Sequence, residues 1–106
     1  MATLSPTRRS VELRELIAHH HDELMVVLER YGASNVRIFG SVLRGDADED
    51  SDIDLLFTRP SGMGLFDLAA MRIELSDILG VAVDAVPDAN LHEHLRSDVL
   101  HSSRPL

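Results

Sequence analysis

Between Pro6 and Tyr31 apolar residues recur every three or four positions, at Leu13, Leu16, Ile17, Leu24, Val27, Leu28 and Tyr31, with His20 filling a gap on the same stripe. That period predicts an amphipathic helix with one buried face. Ser5 before Pro6 is a start signal, because a serine oxygen can cap free amides and proline at the first helical position forfeits no hydrogen bond; Gly32 ends the helix. Val36-Arg37-Ile38-Phe39 changes to the branched and aromatic character of a strand, broken by Gly40-Ser41. The acid-rich stretch from Val42 to Ser51 reads as too charged to pack, hence a short helical turn and an exposed loop.

Asp52 to Phe57 resumes strand alternation, with Ile53, Leu55 and Phe57 on one face and Asp52, Asp54 and Leu56 on the other; Arg59-Pro60-Ser61-Gly62 closes it. A second helix is predicted from about Leu65 to Leu79, with Leu68, Met71, Arg72, Leu75, Ile78 and Leu79 at helical spacing and Gly80 as a left-handed stop. Val81 to Val86 makes a third strand ended by Pro87, and Leu91, Leu95, Val99 and Leu100 suggest a last short helix. The expected architecture is α/β (α+β): a small mixed sheet of about three strands packed with helices, in a single domain over residues 1–106 with frayed ends at about 1–5 and 102–106.

Composition narrows the chemistry. At 106 residues, one modest core is the most such a chain can bury, and 44% hydrophobic residues make it too apolar for intrinsic disorder. No apolar run approaches the roughly 20 residues of a membrane span, and the N-terminus lacks an apolar signal core, so no membrane association and a cytoplasmic location are expected. The absence of cysteine excludes disulfides, thiol catalysis and thiolate metal sites, leaving carboxylates and histidines as possible ligands. A net charge of −8, with no lysine, argues against direct nucleic-acid binding.

Against that background the acids at Asp52 and Asp54 stand out. Two residues apart in a strand, both carboxylates project from one face, about 7 Å apart. Carboxylates over a core cannot stay ionised and unpaired, and a divalent cation with oxygen preference is their least costly partner. Asp84 interrupts an otherwise apolar strand, and if that strand neighbours the first two acids, three carboxylates converge. Upstream, Gly40 permits a tight turn and close approach of backbone amides to an anion, Ser41 adds a hydroxyl, and Arg44 offers a planar fork suited to phosphate. An anion cradle beside a carboxylate-bound metal pair is what transfer from a nucleoside triphosphate needs.

Each element alone has an ordinary reading: a solvated edge strand for Asp52 and Asp54, an edge acid for Asp84, a strand-ending turn for Gly40-Ser41. Their combination favours a site. His19-His20-His21 and the pair His92 and His94 do not make a zinc site, since adjacent helical residues point about 100° apart and no second ligand set has matching spacing. His20 is expected to be half-buried. Arg72 could partner the acidic site or snorkel away from it. Met25, Met63, Leu65 and Phe66 are candidates for an exposed partner surface.

Gly40-Ser41, ten residues, then Asp52-Ile53-Asp54, within the string from Phe39 to Leu56, resembles the signature of the DNA polymerase beta-like nucleotidyltransferase superfamily, and in particular its minimal nucleotidyltransferases. The resemblance spans about residues 10 to 100. It implies a polymerase beta-like fold, with Gly40 and Ser41 contacting the triphosphate, Asp52 and Asp54 holding two Mg2+ ions, and Asp84 completing one metal site and helping to deprotonate the acceptor. It further implies ATP as substrate and a HEPN-domain ribonuclease toxin as partner, in a hetero-oligomer with this chain as antitoxin that transfers AMP to a toxin tyrosine. The alternative is a non-catalytic antitoxin that neutralises its toxin by binding alone; an acidic chain and a basic ribonuclease would associate quickly by charge steering whatever the chemistry. A small-molecule nucleotidyltransferase ranks last, because few residues follow Asp84 to hold an acceptor.

Overall fold

A computed structural model describes residues 5–106 as a four-stranded sheet covered by helices. The first helical stretch is two helices, α1 (Arg8–His19) and α2 (His21–Arg30), broken at His20. Its cap is Thr7, not Ser5: the Thr7 side chain accepts the Ser10 amide. The break has a local cause that periodicity overlooks. Asp22 and Glu23 fall in the first turn of α2, where acids favour a helix start, and His20 pairs through Nδ1 with Glu23 at 3.0 Å. His20 is half-buried, as expected. The apolar stripe survives the break, since Leu13 and Ile17 of α1 and Leu24, Val27 and Leu28 of α2 are all buried in one core.

Three strands follow: β1 (Ser34–Phe39), β2 (Ile53–Thr58) and, after helix α4 (Leu65–Leu79), β3 (Val83–Pro87). Between β1 and β2 lies the one-turn helix α3 (Ser41–Arg44). β1 and β2 pair antiparallel, whereas β2 and β3 pair parallel, which requires the crossover that α4 supplies. α4 keeps its expected bounds, buries Leu68, Met71, Leu75 and Leu79, and stops at Gly80 with φ +70°. Tyr31 donates its hydroxyl to Glu74 of α4, and Arg30 pairs with the same carboxylate at 2.9 Å, tying α2 to α4.

The C-terminal end departs from expectation. After a 3-10 turn at Asp88–Asn90 and helix α5 (Glu93–Ser102), Arg104–Pro105 forms a fourth strand, β4, antiparallel to β1, giving the order β3-β2-β1-β4. The sheet therefore has four strands instead of three, and 102–106 is not a frayed tail. Ser103 is buried and holds the Arg37 side chain through its hydroxyl at 2.5 Å and its carbonyl at 3.1 Å, while the Leu106 amide donates to Val36. Two residues carry no periodicity, so a strand of that length is invisible in sequence. Residues 1–4, the rest of the expected fraying, lie outside the described residues.

The acidic loop is also better anchored than its charge suggests. Ala47 is buried: its amide donates to Ser10 Oγ at 2.9 Å and its carbonyl accepts from Thr7 Oγ1 at 2.6 Å, docking the loop on α1 while Asp46, Asp48, Glu49 and Asp50 stay in water. Met63 is buried as well, so of the expected surface residues Leu65 and Phe66 are fully exposed and Met25 only partly. Among the described residues no helix is long and apolar enough to cross a membrane.

Candidate active site

The sheet register builds the site. Asp54 lies opposite Phe39 of β1 on one side and Asp84 of β3 on the other, so the end of β1, where Gly40 follows, and both acids meet in one transverse row. Asp52 precedes β2 by one residue, at the exposed edge of the row. Asp54 is half-buried, and Leu56 on the same face is fully buried, so this face is covered beyond the site instead of being wholly polar. Burial first, then the negative charges of Asp84 and Asp52, push the Asp54 carboxyl above its ordinary range, with Arg44 opposing.

Gly40 sits tightly against this row. Its φ of +78° is left-handed, and a Cβ there would stand 2.2 Å from Asp54 Oδ2. Only glycine lets the backbone turn into α3 at that distance from the carboxylate. The first amides of α3 have no acceptor within so short a helix and are free to meet an anion. Arg44 is engaged otherwise: its Nε is 3.3 Å from Asp46 Oδ2 on the exposed surface. A cavity of about 420 Å³ opens beside Gly40 and Arg44, walled by Phe39, Leu43, Val99 and Arg104.

Two arginines organise the site from outside. Arg14 of α1 donates from Nε to the Val42 carbonyl at 3.0 Å and from Nη2 to the Leu43 carbonyl at 2.7 Å, clamping the end of α3. Sequence reasoning missed it, because nothing in its helical position signals a partner 28 residues away. Hydrogen bonds from a charged group to carbonyls contribute roughly 1.5–3 kcal/mol. Arg14→Met is therefore expected to lower the thermal midpoint and to raise the KM for nucleoside triphosphate several-fold with a smaller change in kcat; an unchanged KM in a variant of lowered midpoint would limit Arg14 to stability. Arg72 of α4 donates from Nε and Nη2 to the Ala85 carbonyl at 3.0 and 2.6 Å, and its Nη2 lies 3.5 Å from Asp84 Oδ1.

The three acids thus share a corner of the sheet, but their side chains do not converge as spacing suggested. Among the described residues, no group of three or more His, Asp or Glu side chains is gathered so as to hold a metal ion. Asp84 is engaged with Arg72 instead. The donor chemistry nevertheless suits a hard divalent cation, since the oxygens are all carboxylate and Asp54 is held partly buried under two like charges, with no ion pair of its own among the described residues.

Comparison with known proteins gives the family and the fold. A family model described as nucleotidyltransferase domain matches residues 24–106. A solved structure described as a minimal nucleotidyltransferase superposes with a TM-score of 0.78 at 42% identity, covering 89% of this chain and 95% of the other. The protein adenylyltransferase MntA of Thermococcus cleftensis is 33% identical over 89 residues, 84% of this chain and 87% of its own length. A toxin–antitoxin complex crystallised with AMP-PNP shares the fold, with a TM-score of 0.67 at 19% identity over 79% of this chain and 69% of that one. The chain belongs to the nucleotidyltransferase domain family, and its fold is that of the minimal nucleotidyltransferases.

Proposed function

We propose that this chain, a single nucleotidyltransferase domain over its 106 residues, is the antitoxin of a toxin–antitoxin pair and transfers AMP from ATP to a tyrosine hydroxyl of a cognate HEPN-domain toxin. The observation that carries this reading is the transverse row in which Gly40, Asp54 and Asp84 meet. The adenylyltransferase name of the Thermococcus relative supports AMP as the group transferred. The occurrence of the fold in a toxin–antitoxin crystal is consistent with the partner.

In this reading the amides after Gly40 and the Ser41 hydroxyl hold the triphosphate, with Arg44 exchanging Asp46 for phosphate. The neighbouring cavity takes the nucleoside end. Asp52 and Asp54, with Asp84, would hold two Mg2+ ions, which neutralise charge on the attacking and leaving oxygens when bound. Asp84, on the edge strand with a half-exposed side chain, faces the incoming acceptor and receives its proton. The tyrosine oxygen forms a bond to the α-phosphorus, the bond to the β-phosphate oxygen breaks, and pyrophosphate leaves.

The test is intact mass spectrometry of the cognate toxin after mixing with this chain, Mg2+ and each nucleoside triphosphate in turn. A gain of one or more AMP with ATP alone, absent with the Asp52→Asn and Asp54→Asn double variant, supports the reading. A stable complex with no mass gain, formed equally by both proteins, would replace it with neutralisation by binding.

A further inference from the structure

Arg72 of α4 contacts both the β3 backbone and the Asp84 carboxylate, and its geometry serves two ends at once. Nε and Nη2 both donate to the Ala85 carbonyl on β3, an edge strand of the described sheet, which fixes the guanidinium in place. From that anchor Nη2 reaches Asp84 Oδ1 at 3.5 Å. A long, weak ion pair between half-exposed partners contributes little to folding, so its value to stability is small. The pair gives the carboxylate a cationic partner at the outer edge of the sheet, and among the described residues the three acids form no ligand group as they stand.

We propose that Arg72 is a positioning residue that competes with divalent cation for Asp84, holding this carboxylate out of the ligand set until an ion is present. The proposal rests on the metal-dependent reading of the site. Loading of the ion then requires Asp84 to leave Arg72, while the guanidinium stays on the Ala85 carbonyl. Arg72 therefore weakens ion binding in the absence of nucleotide, and the added negative charge of a triphosphate overcomes that weakening. The same arrangement keeps Asp84 from repelling Asp54 at full strength while the site is without an ion.

The experiment measures Mn2+ affinity without nucleotide, by electron paramagnetic resonance of the free ion, on the full chain. Arg72→Gln keeps a donor for Ala85 and removes the charge; it is expected to bind Mn2+ about two- to fivefold more tightly than wild type. Arg72→Lys, which keeps the charge, should return the affinity to within about twofold of wild type. In an Asp84→Asn background the Arg72→Gln effect should shrink, because the two residues act through one contact. Equal or weaker Mn2+ binding by a folded Arg72→Gln protein overturns the proposal and leaves the metal site standing. An undiminished gain in the Asp84→Asn background also overturns it, since the charge would then act without Asp84. No saturable Mn2+ binding by wild type overturns both the metal reading and the proposal.

Discussion

Replacing both Asp52 and Asp54 by asparagine is expected to reduce nucleotidyl transfer by on the order of 10³-fold or more while leaving the protein as stable as before or slightly more so. On the proposed metal-dependent reading, the activity loss follows from removing two charged ligands at the place where charge develops in the transition state, where even one preorganised neutral donor is worth 10²- to 10³-fold. The stability gain has a separate cause. Asp54 is half-buried, pairs in register with Asp84 and feels Asp52 beside it, and its carboxyl is raised by all three effects. Asparagine keeps the shape and deletes the repulsion. Like charges directly opposite in a sheet cost a few tenths to about 1 kcal/mol, so the metal-free double variant should melt up to roughly 4–8 °C higher. Thermal unfolding followed in chelator, beside a transfer assay in Mg2+, separates the two effects. A midpoint several degrees lower would show that Asp54 is structurally satisfied, and retained transfer would remove these carboxylates from the reaction.

Gly40→Ala carries the second large expectation, because one methyl group offends twice. At φ +78° an L-residue is strained by roughly 1–2 kcal/mol. The new Cβ would also lie 2.2 Å from Asp54 Oδ2 and 3.2 Å from Asp54 Cβ, and the latter is part of a central strand that cannot swing aside. The midpoint should fall by roughly 5–15 °C. Transfer should fall by about 10²-fold at temperatures where the variant is folded, since displacement of reacting groups by about 1 Å has that effect. Gly80→Ala provides the comparison. It has φ +70° and no atom within 4 Å of the added Cβ, so it should lose stability through strain alone and retain wild-type transfer. Equal activity losses in the two variants would mean that the Gly40 effect comes from general destabilisation and not from contact with Asp54.

Much of this was legible from local pattern. The 3.6-residue period over 65–79 and the stop at Gly80 specify α4 because a helix buries one continuous face, and Leu68, Met71, Leu75 and Leu79 are that face. The alternation after Asp52 specifies β2, and an acid inside an apolar strand marks Asp84 as needing a partner. Gly40-Ser41 and Asp52-Ile53-Asp54 name the chemistry through their spacing and resemblance. These signals need no knowledge of distant residues.

What local pattern could not decide is which distant groups meet. The break at His20 has a local signal, the acids at Asp22 and Glu23, but the apolar stripe runs through it and masks it. Strand β4 exists only because β1 offers an unpaired edge and Ser103 holds Arg37; two residues have no period of their own. Arg14 reaches α3 across 28 positions, and Arg72 reaches Ala85 and Asp84 across the crossover, contacts set by how helices pack on the sheet. The residue types at the site follow from the sequence by itself, since chemistry resides in side chains and short spacings. The pairing of Asp54 with Asp84, the closeness of Gly40 to Asp54 and the diversion of Asp84 to Arg72 were decided by the tertiary structure alone, because strand register and helix docking depend on the whole core closing at once.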